Sequence, residues 1–204
     1  MTMKNLTPPT WSLCVYCGSR FGDQAAYRQA AEDTGRLLAH SGGRLVYGGG
    51  RVGLMGAVAD AALAHGGAVV GVIPDALMRR EVGHAGVQEL HVVQTMHERK
   101  MLMAEHSDAF IALPGGIGTM EEIFEMWSWQ QLGYHAKPVG LLNVAGYYDA
   151  LVKFLRDGLD RGFISAEQHA ALIVDDDLPT LMAELQRRAL SSKAASPASD
   201  YSRT

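Results

Sequence analysis

Residues 112–122, ALPGGIGTMEE, set a run of glycines against two carboxylates. Gly115, Gly116 and Gly118 let backbone N–H groups converge on an anion, and a helix starting there adds the positive end of its dipole. Thr119 can cap that helix with its hydroxyl and offer a donor to a ligand. No Lys-Ser/Thr pair follows the glycines, so this is not a Walker loop, and ordinary nucleoside triphosphate hydrolysis is not expected. Glu121 and Glu122 are awkward neighbours for a phosphate. Acids in a first helical turn do favour the dipole, by about 0.3–1 kcal/mol. Adjacent residues point about 100° apart on a helix, so at most one glutamate faces a ligand. Spacing alone does not choose between them.

A second glycine turn, YGGGRVGLMG at 47–56, contains a formal G-x-G-x-x-G at Gly48, Gly50 and Gly53, with Asp75 further on as a dinucleotide fingerprint requires. The turn follows the second strand rather than the first, and Asp75 falls in a break after Pro74. A backbone cradle for phosphate or ribose, with Gly49 and Gly50 in contact, is expected rather than an NAD or FAD site. The third polar cluster is MHERKMLMAEHSD at 96–108. Met96, Leu102 and Met103 read as a core stripe, and His97, Glu98, Arg99 and Lys100 as a solvated face. Two cations near a helix start oppose the dipole, which an anionic ligand or a carboxylate partner would offset. Cys14 and Cys17 form a C-x-x-C on a strand and its exit, with side chains on opposite faces and no second pair to complete a zinc site. They read as buried small apolar residues.

The elements that must hold these groups alternate. Strands are expected at 12–16, 44–48, 68–74, 90–94, 109–114, 138–143 and in LIVDD, with amphipathic helices between them and an irregular stretch after Pro74. The pattern predicts an α/β fold: a Rossmann-like, doubly wound parallel sheet covered by helices on both faces, in a single domain at 12–188. Residues 1–11 read as an extension and 189–204, rich in Ser and Ala, as a disordered tail. The net charge of −4 and pI near 6.0 give no pull toward nucleic acid or an anionic membrane. No apolar run approaches the roughly 20 residues of a membrane span, and the start lacks an apolar signal core, so a cytoplasmic location is expected.

With YGGGRVGLMG, MHERK and PGGIGTMEE in this order, the chain resembles the "lonely guy" family of cytokinin riboside 5'-monophosphate phosphoribohydrolases, long labelled lysine decarboxylases. The family marker P-G-G-x-G-T-x-x-E is met in full from Pro114 to Glu122, and M-x-x-R-K by Met96, Arg99 and Lys100. The resemblance covers roughly 12–188. It implies a homodimer of Rossmann-like subunits, without cofactor or metal, that cleaves the N-glycosidic bond of cytokinin riboside 5'-monophosphates and of AMP, releasing free base and ribose 5-phosphate. It places the catalytic pair on Arg99 and Glu122. It places substrate contacts on Glu81, Arg99, Lys100, the loop Gly115, Gly116, Ile117, Gly118, Thr119, Met120, Glu121 and Glu122, and Ser128, a position often Thr in plant members. CGSR at 17–20 resembles the family's first turn, which puts Ser19 near phosphate or ribose.

The implied chemistry fits those residue types. Breaking a base–ribose bond develops oxocarbenium character at the sugar, which a fixed carboxylate stabilises. Glu122 is the candidate. Arg99 stays protonated, so it anchors Glu122 or the ribose and keeps the carboxylate ionised. A decarboxylase would need a pyridoxal-bearing lysine. Of Lys4, Lys100, Lys137, Lys153 and Lys193, only Lys100 lies near the site, with no cofactor framework around it. A non-catalytic nucleotide or molybdenum-cofactor carrier of the same fold is the alternative, and it need not keep Arg99 with Glu122. WSWQQLGYH at 127–135 reads as either a dimer surface or core.

Overall fold

The computed structural model describes residues 9–81, 83–84 and 86–195. Its strands are β1 (Trp11–Tyr16), β2 (Gly43–Tyr47), β3 (Ala68–Pro74), β4 (Glu89–Val93), β5 (Ala109–Ala112), β6 (Val139–Leu142) and β7 (Leu172–Asp175). The α-helices are α1 (Ala25–His40), α2 (Gly53–Ala64), α3 (Asp75–Glu81), α4 (Met96–Glu105), α5 (Ile117–Gln131), α6 (Asp149–Asp160), α7 (Ala166–Ala171) and α8 (Leu178–Ala195). Every strand pairing is parallel, in the order β4-β3-β2-β1-β5-β6-β7. The chain lays β1 at the centre, walks outward to β4, returns to place β5 against β1, and walks out the other way. The strand order therefore reverses between β1 and β5, and ligands of such sheets lie beyond the carboxyl ends at that reversal. Tyr16 is in register with Ala112, so both strands stop together there.

The strands are apolar because both sheet faces are covered. Trp11, Leu13 and Val15 of β1 enter a core with α1, α2 and α8, whereas Cys14 and Tyr16 enter a second core with α4 and α5. Cys14 and Cys17 fall into different cores, both buried and both free, as their spacing predicts. Burial pushes the Cys14 thiol up to about 12 and raises Cys17 as well, so neither supplies a thiolate near neutrality.

The elements differ from the sequence reading in the following ways. The stretch after Pro74 opens as helix α3, and a second short helix, α7, follows a capping box of Ser165 and Gln168. Met96 is 44% exposed, outside the core stripe that Met103 does join. α8 continues past Arg188 to Ala195, and Ala189 is buried in the core, so the helix extends into the stretch read as a tail. Residues 1–8 and 196–204 lie outside the described residues. Among the described residues, no helix is long and apolar enough to cross a membrane.

Candidate active site

The loop between β5 and α5 is held by its carbonyl groups. The Tyr148 hydroxyl donates to Leu113 O (2.6 Å), the Tyr147 hydroxyl donates to Gly115 O (2.5 Å), and Gly18 N–H donates to Pro114 O (3.0 Å). Leu113 N–H is spent on Tyr16 O. With its oxygens tied back, the loop turns its amides outward. Gly116 is the N-cap of α5 and carries no side-chain cap, and the first bond into the helix is from Met120 N–H to Gly116 O. The N–H groups of Ile117, Gly118 and Thr119 precede it, an arrangement that accepts an anion.

A Cβ added at Gly116 or Gly118 would meet nothing within 4 Å, and neither has a positive φ. The protein's own packing does not demand glycine there. At Gly115 a Cβ would fall 2.1 Å from Thr119 Oγ1, so Thr119 is tucked against the loop and caps nothing, contrary to expectation.

Glu121 and Glu122 occupy the second turn of α5, so the first-turn dipole argument does not apply to either. They part company. Glu122 is 8% exposed and accepts from Arg99 Nη1 at 2.7 Å, while Arg99 Nε donates to Val72 O at 3.2 Å. Arg99 is itself 8% exposed, and a Cβ at Gly48 would lie 2.1 Å from its Nη2, so the guanidinium is packed against that glycine. Glu121 reaches the other cation of the motif: Lys100 Nζ donates to Glu121 Oε1 at 2.6 Å and to Glu125 Oε1 at 2.9 Å. Both cations of α4 thus have carboxylate partners on α5. Thr95 and Glu98 close a capping box at the start of α4.

Buried ion pairs add little net stability because desolvation offsets the attraction, so Arg99–Glu122 is better understood as a preorganised group. Burial raises the Glu122 carboxyl above its ordinary range, with Arg99 pulling it down and Glu121 pushing it further up. Arg99 therefore opposes the proton without cancelling the effect of burial. Lys100 is pulled down by burial but held above its usual value by its two glutamates, which keeps it an ammonium rather than a nucleophile. Lys137 is lowered to about 8 by burial, but it precedes β6 at the amino ends of the strands, where it lines a separate cavity of about 930 Å³ with Trp127 and His135.

The glycine turn after β2, expected as a backbone cradle for phosphate or ribose, is largely engaged by the protein itself. Gly49 O accepts His84 N–H at 3.2 Å, Gly50 forms a bridge with Gly83, and Gly53 packs against the Ser19–Arg20 backbone at φ +58. Asp75 opens α3. Ser19 sits in the exposed turn after β1. Ser128 is exposed one turn beyond Glu125, on the stripe that begins at Glu121. Ile117 is 90% exposed at the mouth of the loop, and Met120 packs on the core. Glu81 ends α3, and its side chain lies outside what the structure describes. Sequence reasoning missed Tyr147, Tyr148, Val72 and Glu125. The tyrosine pair follows β6 at the carboxyl edge of the sheet, and that position was its only available signal.

Residues 55–185 match the family model described as "Possible lysine decarboxylase". A probable cytokinin riboside 5'-monophosphate phosphoribohydrolase of Oryza sativa subsp. japonica is 47% identical over 93% of this chain and 85% of its own. The cytokinin riboside 5'-monophosphate phosphoribohydrolase of Rhodococcoides fascians is 49% identical over 88% of this chain and 91% of its own. Among solved structures, the molybdenum cofactor carrier protein of Chlamydomonas reinhardtii superposes with a TM-score of 0.67 at 21% identity, covering 90% of this chain and 99% of that one. That last likeness shows the fold.

Proposed function

We propose a hydrolytic function for this chain, which belongs to the cytokinin riboside 5'-monophosphate phosphoribohydrolase family: it cleaves the N-glycosidic bond of cytokinin riboside 5'-monophosphates, and of AMP, to free base and ribose 5-phosphate. The observation that carries the reading is the buried 2.7 Å pair of Arg99 and Glu122 beside an outward-facing glycine turn. The amides of 116–119 hold the 5'-phosphate, whose binding energy positions the ribose. The C1'–N bond breaks with its electron pair leaving on the base, and C1' becomes positive. Glu122 stabilises that charge and takes a proton from the water that adds to C1'; the base takes up a proton from solvent as it leaves, and Glu122 returns its own to solvent. Arg99 keeps its proton throughout and fixes the carboxylate.

Ser19, Gly49, Gly50, Glu81, Lys100, Gly115, Ile117, Met120, Glu121 and Ser128 belong to the same proposal as the wall around phosphate, ribose and base. So does a homodimer. Trp129 of the 127–135 segment is core, but Leu132 is 61% exposed, and light scattering checks the assembly. A cytoplasmic location is supported by two buried, unpaired cysteines. The test compares ribose 5-phosphate release from AMP, isopentenyl-AMP, GMP and CMP, with adenosine as control. Release from the adenine 5'-monophosphates and not from adenosine is expected. Tight nucleotide binding without release would overturn it in favour of a carrier.

A further inference from the structure

At the opposite end of the sheet from Glu122, three metal-ligating side chains converge. Glu89 and His91 are two apart on β4, so they leave the same face of that strand. β4 is an edge strand paired only with β3. His106 is the C-cap of α4, the point where the chain turns back toward β5, and Arg44 Nη2 fixes its carbonyl at 2.9 Å. The two imidazole rings lie 5.1 Å apart between centroids, tilted by 37°. Glu89 Oε1 is 2.6 Å from His91 Nε2, and one ligand atom from each of the three residues lies within 4.8 Å of the others. The carboxylate is exposed and both rings are partly so, which leaves an open approach from solution.

A Glu–His hydrogen bond accounts for one of these contacts. It does not require a second imidazole turned to the same point. Two imidazole nitrogens with one carboxylate oxygen form a borderline donor set, suited to zinc and its neighbours rather than to magnesium or calcium. Ligand bonds of about 2.0–2.2 Å put the donor atoms of a tetrahedral zinc roughly 3.3–3.6 Å apart, so the Glu89–His91 contact of 2.6 Å would open slightly and the separations of up to 4.8 Å would close. The backbones that carry them are a strand and a helix end.

We propose that Glu89, His91 and His106 bind one divalent transition-metal ion of the zinc class, with a water in the fourth position. The ion displaces the proton shared between His91 and Glu89 and clamps the outer edge of the sheet to the end of α4. Since α4 carries Arg99 and Lys100 on its other turns, the clamp acts on the stability of the helix that supplies the cations and not on the chemistry at Glu122. The proposal is independent of the hydrolase reading.

The experiment uses the untagged full chain, stripped with chelator and dialysed. Titration calorimetry with Zn²⁺ is expected to give one ion per chain, with a rise in the thermal midpoint at saturation. Co²⁺ is expected to give the visible d–d bands of a low-coordinate nitrogen and oxygen site. His91→Ala and His106→Ala each weaken binding at least ~10-fold and remove the bands, while the fold is kept. His65→Ala, which breaks a different close imidazole pair, with His40 at 5.2 Å, leaves both readouts unchanged. The proposal is overturned by absence of saturable binding below about 100 μM, by binding that survives both His91→Ala and His106→Ala, or by loss of binding in His65→Ala.

Discussion

The two glycine-rich turns read alike in sequence but are built for different purposes. In the turn after β2, a side chain at Gly48 would strike Arg99 and one at Gly53 would strike the Ser19–Arg20 backbone 2.3–2.6 Å away, at a positive φ. Those glycines are required by the protein. In the turn after β5, Gly116 and Gly118 open onto nothing within 4 Å. Those glycines are not required by the protein's own packing, which fits the phosphate site proposed there. A glycine cluster marks a ligand site only when the space it leaves is not already filled.

That contrast can be broken or sharpened by substitution. The largest effect belongs to the carboxylate that the open turn presents: Glu122→Gln is expected to lower turnover by about 10²–10⁴-fold, measured as ribose 5-phosphate release. Its far-UV circular dichroism should match the parent, because the amide oxygen still accepts from Arg99. Retained activity would remove Glu122 from the mechanism. Next are the filled turn's glycines. Gly48→Ala and Gly53→Ala should each cost about 1–3 kcal/mol in denaturant unfolding, the first with loss of activity as the guanidinium is displaced. If either proves as stable as the parent, the contrast fails on that side.

The open turn should respond the other way. Gly118→Ala is expected to hold or raise stability by up to about 1 kcal/mol, and Gly116→Ala to leave it unchanged, while KM for a 5'-monophosphate rises roughly 10-fold. Unfolding of these variants would show that their glycines are structural after all. The smallest effect is on pH. Burial raises the Glu122 carboxyl, so activity that needs the anion should fall on acidification with a midpoint above the ordinary glutamate value of 4.5. The same shift means the folded state holds this proton more tightly than the unfolded chain does. Its contribution to stability is full at low pH and is lost as pH rises through the folded-state value. A pH–rate profile checks the first sign and pH-dependent unfolding the second.

Much of this was legible in advance. Alternating apolar runs and amphipathic stretches gave the doubly wound sheet, because strands covered on both faces must be apolar throughout. The short helices α3 and α7 were not, since 7 and 6 residues carry too little periodicity, although Ser165 and Gln168 spell a capping box. Residues 189–195 read as a tail by composition, yet α8 runs through them and Ala189 is buried in the core.

The sequence by itself determined the chemistry on offer: glycines where backbone must be bare, two cations on one helix and two glutamates on another, in an order that places both turns at strand exits. Its motifs pointed to Arg99 with Glu122 by resemblance, but spacing alone did not decide which glutamate meets which cation. Apolar side chains flank both, with Met120, Phe124 and Trp127 on one side of α5 and Ile123, Met126 and Trp129 on the other. Only packing chose. Ile123 and Met126 are driven fully into the core, and that fixes the rotation of α5 about its axis. The rotation carries Glu122 inward to Arg99 and leaves Glu121 at the rim with Lys100, because a helix turns every side chain together and the most apolar face sets the angle.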